Sequence, residues 1–207
     1  MENKPVKSPI ITSSLTPRSR VAPVRTQLDP DRWVDVAIDV LAREGVSGLR
    51  VEVLAKKCGV TKGSFYWHFK DRQDLLAAVL EHWREGRIRD IEKITTVSPG
   101  HERDQLHFAI KVYGTSRNRK GVSIELAVRD WARHDPQAAT VVEAVDLYRL
   151  ECTRKLFVAA GMSDAEAKSR SLLLYACVFG LSLMHYTHFD EHLDDLKQRI
   201  ADRIVSA

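Results

Sequence analysis

Within the 207 residues, the segment Gly59–Phe69, GVTKGSFYWHF, crowds Phe65, Tyr66, Trp67, His68 and Phe69 into five consecutive positions, although only 7% of the chain is aromatic. On a helix at about 100° per residue, Phe65 and Phe69 are i, i+4 and share one face. That face predicts two anchors turned onto Trp33, Leu54 and Val60. Gly63 and Trp67 fall on the opposite side, with Ser64 and Tyr66 on the flanks. The expected chemistry is recognition by hydrogen bonding: Tyr66, Trp67 and His68 are left near solvent with polar tips, beside Lys70. Five basic residues and one acid lie between Arg50 and Lys70, so the segment presents local positive charge suited to a phosphate-bearing partner.

Other constellations are weaker. His185, His188 and His192 have the i, i+3, i+7 spacing of a helical metal face. Asp190 reads as a new N-cap between them and breaks that face, so no metal site and no cofactor is expected. Cys58, Cys152 and Cys177 are odd in number and far apart, with no C-x-x-C pair. They read as reduced, partly buried thiols rather than a disulfide framework. No G-x-S-x-G elbow, P-loop or H-E-x-x-H motif is present, which speaks against an enzyme.

The elements that must hold the aromatic segment are helical. Residues 1–28 carry five Lys or Arg against Glu2, and the remaining 179 residues balance at 27 basic and 27 acidic. This stretch reads as a flexible basic arm. Arg18, Arg20 and Arg25 add non-specific affinity there, with a minor-groove contact as the alternative. Asp29-Pro30 is an N-cap followed by a proline suited to the first helical position. Trp33, Val36, Ala37, Val40 and Leu41 form one apolar stripe, and Gly45 stops it. A second helix is expected over about 50–58, a third over 62 to about 69 capped by Thr61, and a long fourth from about 71 to 95 with Asp71 and Asp74 as a capping pair. Val97-Ser98-Pro99-Gly100 is a break. Helices follow at about 102–115, 121–134, 136–159, 163–188 and 190–205. No stretch alternates like a strand, so the fold class is all-α. No apolar run reaches the about 18 residues of a membrane span, and the N-terminus lacks a secretory apolar core. The expected compartment is the cytoplasm.

Two helices joined by a Gly-containing turn make a helix-turn-helix, whose second helix enters the DNA major groove. Gly63 lets backbone approach the duplex. Thr61 and the first N–H groups of the helix suit a phosphate. Tyr66, Trp67, His68 and Lys70 would grip sugar-phosphate oxygens, which orient without specifying sequence.

Residues 54–76, LAKKCGVTKGSFYWHFKDRQDLL, resemble the signature of the TetR family of bacterial transcription regulators, roughly L-A-x-x-x-G-V-[ST]-x-G-x-[LF]-Y-x-H-F-x-x-[KR]-x-x-L. The resemblance covers about residues 29–80. It implies a three-helix helix-turn-helix domain over 29–75, a connecting fourth helix, and a helical ligand-binding and dimerisation domain over 96–207. It implies a homodimeric repressor of a palindromic operator, released by a small-molecule effector. A helix-turn-helix adaptor governed by a protein partner is the alternative. Carried over position by position, the DNA contacts are Thr61, Lys62, Ser64, Tyr66, Trp67, His68 and Lys70, to which Gly63 is added.

Arg50 departs from the family pattern, which has Ser or Thr there. A cation at a helix N-terminus is unfavourable unless a phosphate sits beside it, so Arg50 joins the contacts. Glu52 reads as a solvated acid, with a cytosine amine as the alternative partner. Pocket candidates are Phe108, Tyr113, Trp131 and His134, with Tyr148, Phe179, Met184 and His185. The run Ser171–Tyr186 is apolar around much of its circumference. A dimer seam is expected from Leu172, Ala176, Phe179 and Leu183, joined by Leu196 and Ile200.

Overall fold

The computed structural model describes residues 28–114, 119–186 and 188–206, without the side chains at positions 113, 114 and 119. The expected basic arm, with Arg18, Arg20 and Arg25, and the side chain of Tyr113 therefore lie outside the described residues. The described residues are helical and contain no strand. In chain order the helices are α1 (Pro30–Glu44), α2 (Val51–Cys58), α3 (Lys62–Phe65), α4 (Arg72–Thr95), α5 (Glu102–Gly114), α6 (Arg119–Ala132), α7 (Pro136–Ala159), α8 (Asp164–Leu183) and α9 (Leu193–Val205).

The stop and start signals act as their chemistry requires. The Asp29 carboxylate accepts from the Asp31 N–H at 3.2 Å. Gly45 and Gly59 sit at φ 68° and 70°, a region that favours residues without a Cβ, and they end α1 and α2. Asp71 accepts from the Asp74 N–H at 2.9 Å while Asp74 accepts from the Lys70 N–H at 3.0 Å. This reciprocal pair opens α4. Asp135 accepts from Gln137 and Ala138 to open α7.

Three expectations need correction. The third helix is regular only to Phe65. His68 and Phe69 both donate their N–H to the Phe65 carbonyl at 3.0 Å, which closes the helix into a turn. Thr61 stands at the N-cap position, but its side chain makes no capping bond. Finally, α8 ends at Leu183 and α9 starts at Leu193. His185, His188 and His192 therefore share no helical face.

Two apolar cores result. One gathers Trp33, Leu54, Phe65 and Leu75 from α1–α4 and runs on to Val128, Trp131 and Val145 of α6 and α7. It thus spans both expected domains. The other joins Leu106, Phe157, Leu174 and Ile204 of α5 and α7–α9. Burying each large side chain contributes about 1.5–3 kcal/mol.

Candidate nucleic-acid interface

The segment after Gly59 divides its rings as the spacing predicts. Phe65 is fully buried and Phe69 nearly so. The Phe65 ring meets Trp33 edge-on, with centroids 5.4 Å apart and planes at 80°, and lies 5.3 Å from Phe69. Such pairs add about 0.5–1.5 kcal/mol to their area burial. On the other side Trp67 is 77% exposed and Tyr66, its ring edge-on to Phe65 at 5.2 Å, is 61% exposed. A Cβ placed on Gly63 would meet nothing closer than Thr61 Oγ1 at 3.6 Å. The surface there is bare of side chains although the fold has room for one.

His68 differs from expectation. It is half-buried, and its Nε2 is enclosed without a hydrogen-bond partner, so only part of its ring is offered to a ligand. Ser64 is also half-buried, while Arg50, Thr61, Lys62 and Lys70 are exposed. Arg50 makes no side-chain cap on α2.

Lys62 Nζ lies 2.6 Å from Glu52 Oε1. The hydrogen bond from Lys62 holds the Glu52 carboxyl below the usual carboxylate range. Glu52 is therefore the ion-pair partner of Lys62, joining α2 to α3.

Sequence reading missed Arg72. Its Nε donates to the Leu49 carbonyl at 2.6 Å and its Nη2 to the Val46 carbonyl at 2.9 Å. These bonds tie the start of α4 to the turn joining α1 and α2. The signal was present: a cation in the first turn of a helix opposes the helix dipole and needs acceptors elsewhere.

The family model for bacterial regulatory proteins of the tetR family matches residues 34–79, the stretch that builds this interface. The regulator AcrR of Shigella flexneri is 28% identical over 187 residues, covering 83% of this chain and 84% of its own. Residues 34–79 thus match the TetR family of regulators. The class A tetracycline repressor from transposon 1721 of Escherichia coli is 39% identical over 56 residues, 27% of this chain and 26% of that one. Among solved structures, a regulator from Saccharomonospora viridis in complex with choline superposes with a TM-score of 0.69. It covers 85% of this chain and 94% of its own at 16% identity, a likeness of fold. The chain is thus a sequence-specific DNA-binding transcriptional regulator, and Gly59–Phe69 is part of the segment that carries the family match.

Beyond the helix-turn-helix, a partly open cavity of about 340 Å³ lies among α4–α8, at the small end of the about 300–1,000 Å³ of small-molecule sites. Apolar walls come from Ile94, Phe108, Val122, Leu126, Val178 and Phe179. Polar lining comes from Arg87, Asp90 and Lys93 of α4, Glu125 of α6 and Arg149 of α7. Of the sequence candidates, Phe108 and Phe179 line it. The others whose side chains are described lie elsewhere. Trp131 belongs to the first core, because α6 turns it toward α1. His134, Met184 and His185 are exposed. Tyr148 donates its hydroxyl to Glu92 at 2.9 Å, which pushes the phenol up to about 12.

Two of these lining residues, Glu125 and Arg149, are buried and join the half-buried Arg129 and Asp146 in one charge cluster. Glu125 Oε1 accepts from Arg129 Nη2 at 2.8 Å and Arg149 Nη1 at 3.4 Å. Asp146 Oδ1 accepts from the same two nitrogens at 2.6 and 3.1 Å. Burial opposes the Arg129 charge, but the bonds and charges of Asp146 and Glu125 outweigh it and hold its pKa above the ordinary value.

The apolar run of α8 is also split. Leu172 and Leu183 are each 62% exposed and Ala176 is exposed, whereas Phe179 turns into the cavity. Ile200 packs on the second core, and Leu196 is half-buried. Within the chain, α9 packs against α5 and α8. No helix among the described residues is long and apolar enough to cross a membrane.

Proposed function

We propose that this regulator is a homodimeric repressor, acting in the cytoplasm, that releases a palindromic operator when a small molecule fills the α4–α8 cavity. It is a binding protein rather than an enzyme. The observation that carries the DNA reading is the division of rings in Lys62–Phe69. Phe65 anchors against Trp33 with Phe69 packed on it, and the opposite side offers a glycine flanked by exposed Tyr66 and Trp67. Thr61, Lys62, Ser64, Tyr66, Trp67 and the open edge of His68 contact the duplex, with Arg50 and Lys70 on phosphates. Residues 29–75 form the reading domain and residues 96–207 the effector and dimer domain. The exposed apolar row Leu172, Ala176 and Leu183 on α8 meets its own copy, as palindromic half-sites require of a two-fold dimer.

Effector control rests on α4. One end is tied to the reading head through Arg72, and the other lines the cavity with Arg87, Lys93 and Ile94. A ligand that displaces α4 therefore displaces the head. That the chain's relatives include a tetracycline repressor and a regulator in complex with choline supports such control.

The test is selection of duplexes from a random pool with purified full-length chain, followed by affinity against salt. A palindromic consensus with steep salt dependence is expected. Lys70→Ala should weaken binding to all sequences alike and lower the salt slope by about one. Failure to enrich any duplex would overturn the reading.

A further inference from the structure

Resting on the reading of the α4–α8 cavity as the effector site, we infer that its effector is an apolar, singly charged organic anion that also offers one hydrogen-bond donor, and not a lipophilic cation. Three observations converge on this.

First, the anions of the lining are already taken. Asp90 holds Arg87 at 2.6 Å, and Glu125 and Asp146 share Arg129 and Arg149. Lys93 also lines the cavity and forms no ion pair with another described residue. The lining therefore keeps one uncompensated positive charge.

Second, two of the three aromatic rings of the lining, Tyr175 and Phe179, already carry a cation, which leaves Phe108 alone open. The Arg129 guanidinium lies 4.1 Å from the Phe179 ring centroid, and Arg149 lies 5.3 Å from Phe179 and 5.4 Å from Tyr175. These separations are within the about 6 Å of cation–π attraction. A third cation there would meet two like charges.

Third, the buried polar atoms left without partners define what is missing. Arg149 is 3% exposed and its Nε is unpartnered; Arg87 Nε is unpartnered too. Both are donors that seek an acceptor. Glu125 is 7% exposed, and its Oε1 serves both arginines while Oε2 accepts from no group. A buried acceptor without a donor is costly, so the ligand that completes this site brings an O–H or N–H. Its acid group faces Lys93 and Arg87, and its apolar body lies against Ile94, Phe108 and Leu126.

Three probes of one skeleton decide the matter: naphthoate, a hydroxynaphthoate, and naphthyltrimethylammonium. Each is titrated calorimetrically into the full-length chain, and the same preparation is assayed for affinity to its selected duplex. We expect naphthoate to bind at least tenfold more tightly than the ammonium compound, and the hydroxylated acid more tightly again. Lys93→Glu should reverse the preference between acid and cation. Tighter binding of the cation, binding of none of the three, or an unchanged ranking in Lys93→Glu overturns the assignment. A chain that fails in this way yet still holds its duplex leaves the regulator reading intact. A chain with no duplex affinity removes that reading instead.

Discussion

Around Phe65 the molecule is held ring on ring; around Arg149 it is held charge on charge. The first site has no polar atom to satisfy in the Phe65 side chain, and tight packing of Trp33, Leu54 and Phe69 suffices. The second gathers two arginines and two carboxylates, and the desolvation of its buried pair, Arg149 and Glu125, consumes much of their mutual attraction. A reading head must present one rigid face, and an apolar anchor gives rigidity with little sensitivity to conditions. A ligand cavity must respond, and a charge cluster with an open carboxylate oxygen changes its energy when a new group arrives. The difference predicts where substitutions should be fatal and where they should retune.

The largest effect is expected at the anchor. Phe65→Ala removes a fully buried ring and should cost about 3–5 kcal/mol in denaturant unfolding, with duplex binding lost as the head loosens. Arg149→Met comes next. It strands part of the negative charge of Glu125 and Asp146, but Arg129 remains to hold both, so the loss should fall toward the lower end of the about 3–5 kcal/mol typical of broken buried pairs. Replacing all four charged residues by apolar ones of similar volume should recover most of that loss in the same unfolding assay. If the fourfold variant is instead less stable than Arg149→Met, the cluster stabilises the fold outright and the contrast with Phe65 disappears.

The reading head was legible in the sequence and the cavity was not. Asp29-Pro30, Gly45, Gly59 and the Asp71–Asp74 pair act within a few residues, so their consequences are local and can be read in order along the chain. The split of Phe65 and Phe69 from Trp67 follows from helical geometry alone, and it survives although α3 closes into a turn after Phe65. The cavity depends instead on which helix covers which. Trp131 and Phe179 look alike as aromatics at helical spacing, yet α1 takes one and the cavity takes the other. The charged lining was missed because Arg87, Lys93, Glu125 and Arg149 belong to no motif, and the three helices that bring them together are far apart in the chain. A hint existed in Glu125–Arg129 and Asp146–Arg149, ion-pair spacings set among apolar neighbours, but nothing in the order of residues says that the two pairs meet.

A smaller change should separate folding from binding at the head. Alanine is a better helix former than glycine by about 0.8–1 kcal/mol, and a Cβ at Gly63 has only an ordinary contact 3.6 Å away. Gly63→Ala should therefore leave stability unchanged or raise it by up to about 1 kcal/mol. Against a duplex the same methyl group stands between backbone and groove, and affinity for the selected operator should fall about tenfold, roughly 1.4 kcal/mol. Unfolding and anisotropy titrations on one preparation would then move in opposite directions. Parallel movement would mean that Gly63 serves the fold rather than the interface.

The smallest expected effect lies in the Glu52–Lys62 pair, where one acid restrains the positive charge of the reading face. Because the Glu52 carboxyl sits below its ordinary range, any stabilisation it gives is present above the unfolded carboxylate pKa and is lost as pH falls through the depressed folded value. The pair is exposed, so folding stability should hardly register that loss. Affinity for DNA has the opposite sign: protonating Glu52 frees Lys62 for a phosphate. Glu52→Gln should imitate this at neutral pH, raising non-specific duplex affinity a few-fold at low salt and steepening the salt slope by about 0.9, the share of one added phosphate contact. Lys62→Ala in the Glu52→Gln background should return the slope to its starting value. An unchanged slope in Glu52→Gln would mean that Lys62 reaches its phosphate from within the ion pair, and that the acid orients the lysine rather than restraining it.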